Sequence, residues 1–267
     1  MNNRLLRHIS LLLLFIAAVI PQASAVTEQV VIYSPVMLEQ AEKGDARAMS
    51  LLAQCYLSGA GIQRDAAKAI DWYTRAAELG DTVSTHQLGY IYYSGAAGRR
   101  DMKEARRWFE KAAALGFAPS MTHLATIYLN GYGVGADIPR AITLYTDAAH
   151  LGDSRAMVQL GHLCLRGLGI EKNPARAMEL YTRAAEAGDP DGYVNLATCY
   201  YRGSGVERNY NKAVEYCNLA IDKGDTGAAK YILGACYERE FGISDPPRKL
   251  NRQLEKVADP FGNITDI

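Results

Sequence analysis

Residues 44–79 read GDARAMSLLAQCYLSGAGIQRDAAKAIDWYTRAAEL, and the same arrangement returns at intervals of 36 residues. Counting from Gly44 lands on Gly80, Gly116, Gly152, Gly188 and Gly224 without a gap. Gly59, Gly95, Gly131, Gly167 and Gly203 form a second column, Leu52, Leu88, Leu124, Leu160 and Leu196 a third, and Ala69, Ala105, Ala141, Ala177 and Ala213 a fourth. Within the first unit, Leu52, Ala53 and Tyr56 share one face of a helix, and Ala69, Trp72, Tyr73 and Ala76 share a face of another. Asp45, Asp81, Asp153, Asp189 and Asp225 directly follow the column glycine. A carboxylate there accepts the unpaired N–H groups that open a helix, while the glycine ends the helix before it. A lone hairpin of this size cannot bury its apolar face, so the units must stack. The expectation is an all-α α-solenoid, a right-handed superhelix of six 36-residue helix-turn-helix repeats over 44–79, 80–115, 116–151, 152–187, 188–223 and a degenerate 224–259.

The connection inside each unit reads Gly-x-Gly-aliphatic in four cases, ending in Ile62, Val134, Ile170 and Val206. The aliphatic residue is placed to staple the loop to the core. The second unit departs from this with Gly95-Ala96-Ala97-Gly98-Arg99-Arg100-Asp101, which sets two arginines where the staple and its neighbour are expected and marks Arg99 and Arg100 as a loop contact. Ahead of the first unit, residues 26–43 hold a capping helix signalled by Ser34-Pro35, carrying Val36, Leu38 and Ala41 inward. In the last unit the pattern slips by one residue, to Leu233-Gly234 and Tyr237, then Gly242 and a final helix with Leu250, Leu254 and Ala258. Residues 260–267 read as a tail.

The first 25 residues differ from all this: Arg4 and Arg7, an apolar run from Ile9 to Ile20, then Ala23-Ser24-Ala25. They read as a signal peptide cleaved after Ala25, because about a dozen apolar residues fall short of the roughly 20 that span a bilayer. No cysteine lies near the cleavage point to take a lipid anchor, the first being Cys55. The processed chain is expected to be periplasmic or secreted, with no insertion in a membrane. The apolar content of 49% with 22% charged residues excludes a disordered chain. Its 29 basic residues balance 29 acidic ones, and the lysines and arginines are scattered, so neither nucleic acid nor an anionic membrane is the expected partner.

The run Ala-x-x-x-Leu-Gly/Ala-x-x-Tyr-x-x-Gly-x-Gly-Val-x-x-Asp-x-x-x-Ala-x-x-Trp-Tyr-x-x-Ala-Ala resembles the Sel-one-like repeat, a relative of the tetratricopeptide repeat, over residues 44 to 258. The resemblance implies a superhelix whose first helices line a concave surface, used as an adaptor or scaffold. Among exported bacterial members it also implies two alternatives: immunity proteins against periplasm-acting effectors, and proteins that bind or hydrolyse β-lactams.

If Leu52, Ala53 and Tyr56 face the core, the adjoining face of each first helix lines the groove. That face carries Arg47, Gln54, His86, Gln87, Tyr90, Tyr93, His123, Arg155, Gln159, His162, Asn195 and Tyr201. Aromatic side chains, arginines and adaptable amides are the chemistry of protein-binding surfaces, so the expected partner is a protein or peptide. His86, His123 and His162 lie in three different units without a cysteine or carboxylate at ligand spacing, and no metal or cofactor is expected. Motifs for a serine, metal or phosphate-binding enzyme are lacking, so the sequence is read as non-enzymatic. Of the five cysteines, Cys55, Cys199 and Cys236 read as one small-hydrophobe column, and Cys217 is placed for a disulfide with Cys199 or Cys236.

Overall fold

The computed structural model describes residues 31–225 and 227–240, which form twelve helices and, among these residues, no strand. A short α1 (Pro35–Glu42) precedes five hairpins. These are α2 (Ala46–Ser58) with α3 (Ala66–Glu78), α4 (Thr82–Ser94) with α5 (Met102–Ala114), α6 (Ala118–Asn130) with α7 (Ile138–His150), α8 (Ser154–Arg166) with α9 (Pro174–Glu186), and α10 (Pro190–Arg202) with α11 (Tyr210–Asp222). The first helix of the sixth unit, α12 (Ala228–Glu240), completes the stack. The expected leader at 1–25, the sixth unit's second helix with Leu250, Leu254 and Ala258, and the tail at 260–267 lie outside the described residues.

Each boundary has a local cause. Asp45 accepts from the Ala48 amide at 2.9 Å, Asp81 from Ser84 at 2.7 Å and Asp153 from Ala156 at 2.8 Å, which opens α2, α4 and α8. Asp65, Asp101, Asp137, Asn173 and Asn209 cap the second helices in the same way. The first helices stop where Gly59 and its column equivalents turn to a left-handed φ of +67 to +80°, a conformation that a Cβ disfavours. Ser34 caps α1 through the Met37 amide at 3.2 Å, as expected. Val36, however, is 60% exposed, and Met37, Leu38 and Ala41 carry the packing of this helix.

The helices pack in chain order, first on second within a unit and second on the next unit's first. Successive first helices α4, α6, α8, α10 and α12 also approach one another directly, as the inner row of a curved stack does. The crossing positions are small and sealed: Ala69, Ala76, Ala105, Ala112, Ala141, Ala148, Ala177 and Ala184 have no accessible surface. Between them on the same helices sit the rings of Phe109, Tyr145 and Tyr181, also fully enclosed. Gly89 faces Phe109 and Gly161 faces Tyr181 so closely that a Cβ would come within 2.6 and 2.5 Å of the ring.

The sixth unit keeps the 36-residue register. Ile232, 36 residues beyond Leu196, is fully buried, whereas Leu233 is half-buried and Gly234 exposed. The expected one-residue slip is confined to the cap, where Asp225 reaches the Ala229 amide four residues on instead of three. Cys236 therefore shares a column with Cys164, not with Cys55 and Cys199. All five cysteines are buried thiols, and the bridge expected from Cys217 is not formed. Cys217 and Cys236 pack in one cluster with Ala213, Ala220 and Ala229, where they serve as small apolar side chains. Burial pushes the thiols of Cys199 and Cys217 up to about 12.

Gly192 tests the close-packing account, because a Cβ there would run into the backbone nitrogen of Ala185 on the preceding helix. Gly192→Ala is expected to cost about 2 kcal/mol, the scale of an overpacked core. Gly135→Ala, which meets open space, serves as the control. Urea unfolding followed by circular dichroism measures both; equal midpoints would show that helix contact does not set the residue at 192.

Candidate functional site

The groove face separates into three groups. Arg47, Gln54, Tyr90 and Arg155 are exposed; His86, Gln87, Tyr93, His123, Gln159 and Asn195 are half-buried; His162 and Tyr201 are buried at 7% exposure each. Two of the expected contact residues therefore face inward. Tyr201 joins the C-terminal core, 5.7 Å from the Tyr210 ring and in the same cluster as Cys217. Leu129, on the same column, is also buried, whereas Tyr93 of that column is half-buried and reaches the groove. His162 lies 5.6 Å from the Tyr181 ring and its Nε2 meets the Asn195 Oδ1 at 2.9 Å, which ties α8 to α10.

Other polar groups of this face also bridge neighbouring units. His86 Nδ1 meets the Ser120 hydroxyl at 2.8 Å, and Thr122 Oγ1 donates to Asp153 at 3.0 Å. Ser154 donates to Asp189 at 2.6 Å. These contacts satisfy side chains that curvature removes from water.

What the structure brings together is a ring cluster between the second and third units. His123 stacks on Phe109 with centroids 5.0 Å apart and planes 11° from parallel. His86 lies 5.6 Å from His123 and 5.1 Å from Phe117, while Tyr90 and Tyr93 stand 5.8 and 5.4 Å from His123. Tyr90 remains 45% exposed and forms the open edge of the cluster. Phe117 occupies the place that aspartate holds in the neighbouring units, so α6 starts without a side-chain cap, and the ring packs against His86 instead. Sequence columns contain that signal as a missing aspartate, though the reading by groove position passed over it. Tyr132, 43% exposed in the next loop, was passed over too.

Burial holds both histidines near pKa 4, helped for His86 by His123 and then Arg155, and for His123 by Arg155 against the opposing Asp153. They are neutral at neutral pH and able both to donate and to accept. No group of three or more metal-ligating side chains occurs among the described residues. Nor is any helix among them long and apolar enough to cross a membrane.

Stacked hairpins with a curved inner row of first helices, bearing a ring cluster between the second and third units, define a repeat scaffold. The Sel1 repeat model matches five times, at 46–81, 82–117, 118–153, 154–189 and 190–225, and the chain belongs to the Sel1 repeat family. A Sel1 repeat protein from Oxalobacter formigenes is 28% identical over 83% of this chain and 94% of its own, with a TM-score of 0.68. A protective antigen of uropathogenic Escherichia coli strains with an SLR fold is 32% identical over 85% of this chain, TM-score 0.65; the alignment covers 48% of that longer protein. An immunity protein of Pseudomonas aeruginosa shares the fold at 22% identity, over 83% of each chain with a TM-score of 0.52. No curated protein matches the sequence.

The lowered histidine pKa values have a consequence for stability. Between about 6.5, the ordinary histidine value, and about 4, the unfolded chain binds protons that the folded chain does not. Stability is therefore expected to fall as pH drops through this window and to level off below it. Urea midpoints measured from pH 7.5 to 3.5 should show this slope, and His86→Asn with His123→Asn should flatten it. A slope unchanged by the double substitution would assign the effect to other groups.

Proposed function

We propose that the chain is a non-enzymatic protein-binding scaffold that holds a polypeptide segment or a partner's domain on its concave face between the second and fourth units. The observation that carries this reading is Tyr90, an exposed tyrosine seated on the ring cluster, with exposed Arg155 within electrostatic reach of that cluster's His86 and His123. Tyrosine and arginine on a preformed surface lose little conformational freedom on binding and are enriched at interface hot spots. Neutral His86 and His123 beneath them add hydrogen-bonding groups without a second charge to desolvate. The family's use of stacked hairpins as interaction scaffolds agrees with this role.

The reading places the chain in the periplasm or outside the cell, after cleavage behind Ala25, on the strength of the basic, apolar and small-x-small order of residues 1–25. Immunity proteins of Pseudomonas aeruginosa among the similar structures suggest one kind of client, a toxic effector acting in that compartment. Their identity to this chain, 20% and 22%, supports a common fold only, so the broader scaffold reading is the one adopted.

Tyr93 is half-buried and packs edge-on against Phe109 at 6.2 Å, so its removal would mix stability with binding. Tyr90→Ala with Arg155→Ala is the cleaner test. Affinity capture from envelope extract with the processed chain, quantified by mass spectrometry, is expected to lose its specific partner by about 2 kcal/mol of binding or more. Helix content and melting temperature should stay as in the unsubstituted chain. Undiminished capture by the double variant would remove the groove assignment.

A further inference from the structure

Ile62, Val134, Ile170 and Val206 are half-buried in their loops, and the first three pack against the core. The 36-residue register places Gly98 at this position in the second unit, with Arg99 and Arg100 one and two places beyond it, aligned with Gln63 and Arg64. The expectation that arginine replaces the staple is thus corrected: no side chain replaces it. A Cβ on Gly98 would meet nothing within 4 Å, and beside this loop a cavity of about 630 Å³ stays open, with Ile70, Tyr92 and Met102 in its lining. Gly133 of the next loop presses against Met102, at a distance where a Cβ would be 2.7 Å away, and closes one wall.

The rim of this cavity is basic, formed by Arg99, Arg100 and Lys103. None of the three enters an ion pair among the described residues. The carboxylate in the lining, Asp101, is occupied in capping α5 through the amides of Lys103 and Glu104 at 3.0 and 3.1 Å. Glu104 pairs with Arg107 at 3.2 Å. Arg100 Nε donates to the Ser94 carbonyl at 3.4 Å, and Arg64 from the preceding loop donates to the Ala96 carbonyl at 3.2 Å. The loop is braced at both sides, while most N–H donors of the two guanidinium groups remain open to an incoming anion.

We infer that this cavity receives an aliphatic side chain of a partner protein flanked by carboxylates, the aliphatic group meeting Ile70, Tyr92 and Met102 and the carboxylates meeting Arg99 and Arg100. Apolar lining beneath a cationic rim matches that pairing on both counts, and guanidinium groups take carboxylates in bidentate fashion. An anionic membrane or nucleic acid is the poorer match, since either calls for a broad basic surface and the 29 basic residues of this chain are balanced by 29 acidic ones and dispersed. The inference rests on the scaffold reading but uses side chains separate from Tyr90 and Arg155.

The test is titration of the ¹⁵N-labelled processed chain with the peptide acetyl-Gly-Glu-Leu-Glu-Gly-amide, followed by NMR. Saturable shifts are expected at Tyr92, Arg99, Arg100, Met102 and Lys103. Binding should weaken at least tenfold for the Gln-Leu-Gln peptide, for the Glu-Ala-Glu peptide, and for the Arg99→Gln with Arg100→Gln variant, whose exposed substitutions give up the 3.4 Å bond from Arg100 to the Ser94 carbonyl and leave the helices in place. It should weaken further with added salt. No saturable shift at the loop, equal affinity for the Gln-Leu-Gln peptide, or perturbation of these residues by phosphatidylglycerol vesicles and not by the peptide would each overturn the proposal. Tyr90→Ala with Arg155→Ala should leave the peptide titration unchanged, so the loop site and the groove can fail independently.

Discussion

Helices approach closely only where the side chains between them are small, and in this chain the crossing positions of every described hairpin are alanine or glycine. Ala53, Gly89, Ala125, Gly161 and Ala197 occupy one such column on the first helices; across from it lie Tyr73, Phe109, Tyr145, Tyr181 and Cys217. The pairing is steric. Phe109 and Tyr181 press so far inward that their partners must lack a Cβ, whereas Tyr73 and Tyr145 leave room for a methyl group. Because this contact repeats at 36-residue intervals, it fixes the hairpin geometry, and the hairpin geometry fixes how far each unit rotates from the last.

From that rotation follows the character of the inner face. Successive first helices meet directly, so polar groups near the contact must be satisfied by the neighbouring unit. His86 with Ser120, Thr122 with Asp153, Ser154 with Asp189 and His162 with Asn195 are the result. Each bond joins residues of consecutive units. The groove is therefore partly a structural seam, and only side chains beyond it, Tyr90 and Arg155 foremost, extend to solvent.

The helices, their caps and the core columns were legible in the sequence because each depends on neighbours within a single unit. Asp45 and Ala48, or Ala69 and Trp72, are close in sequence, and repetition reveals their roles. The groove was less legible. Helical periodicity says which face of α8 avoids its hairpin partner, but not that the curve of the stack folds α10 over His162. Tyr201 was misplaced for a related reason, since spacing alone does not contain its packing against Tyr210 in the C-terminal core. The sixth unit was misjudged because Leu233-Gly234 looks like the Leu-Gly pair of α4 and α8 set one residue late, whereas the burial of Ile232 shows that α12 packs in the unshifted register.

Two local departures coincide at the second and third units: Phe117 replaces a capping aspartate, and Gly98 replaces a stapling aliphatic. A cap contributes about 1 kcal/mol, a loss that would weigh on a small globular domain. In a stack whose stability is a sum over units and their interfaces, the cost stays local, and the units on either side still hold α4 to α7 in place. Phe117 recovers part of that loss by packing against His86, which in turn supports Tyr90. Gly98 brings no side chain to its loop, and Ile70, Tyr92 and Met102 stay half-buried in the wall of the cavity beside it. A half-buried apolar lining edged by exposed cations offers the proposed occupant an apolar contact and a charge to meet in one place.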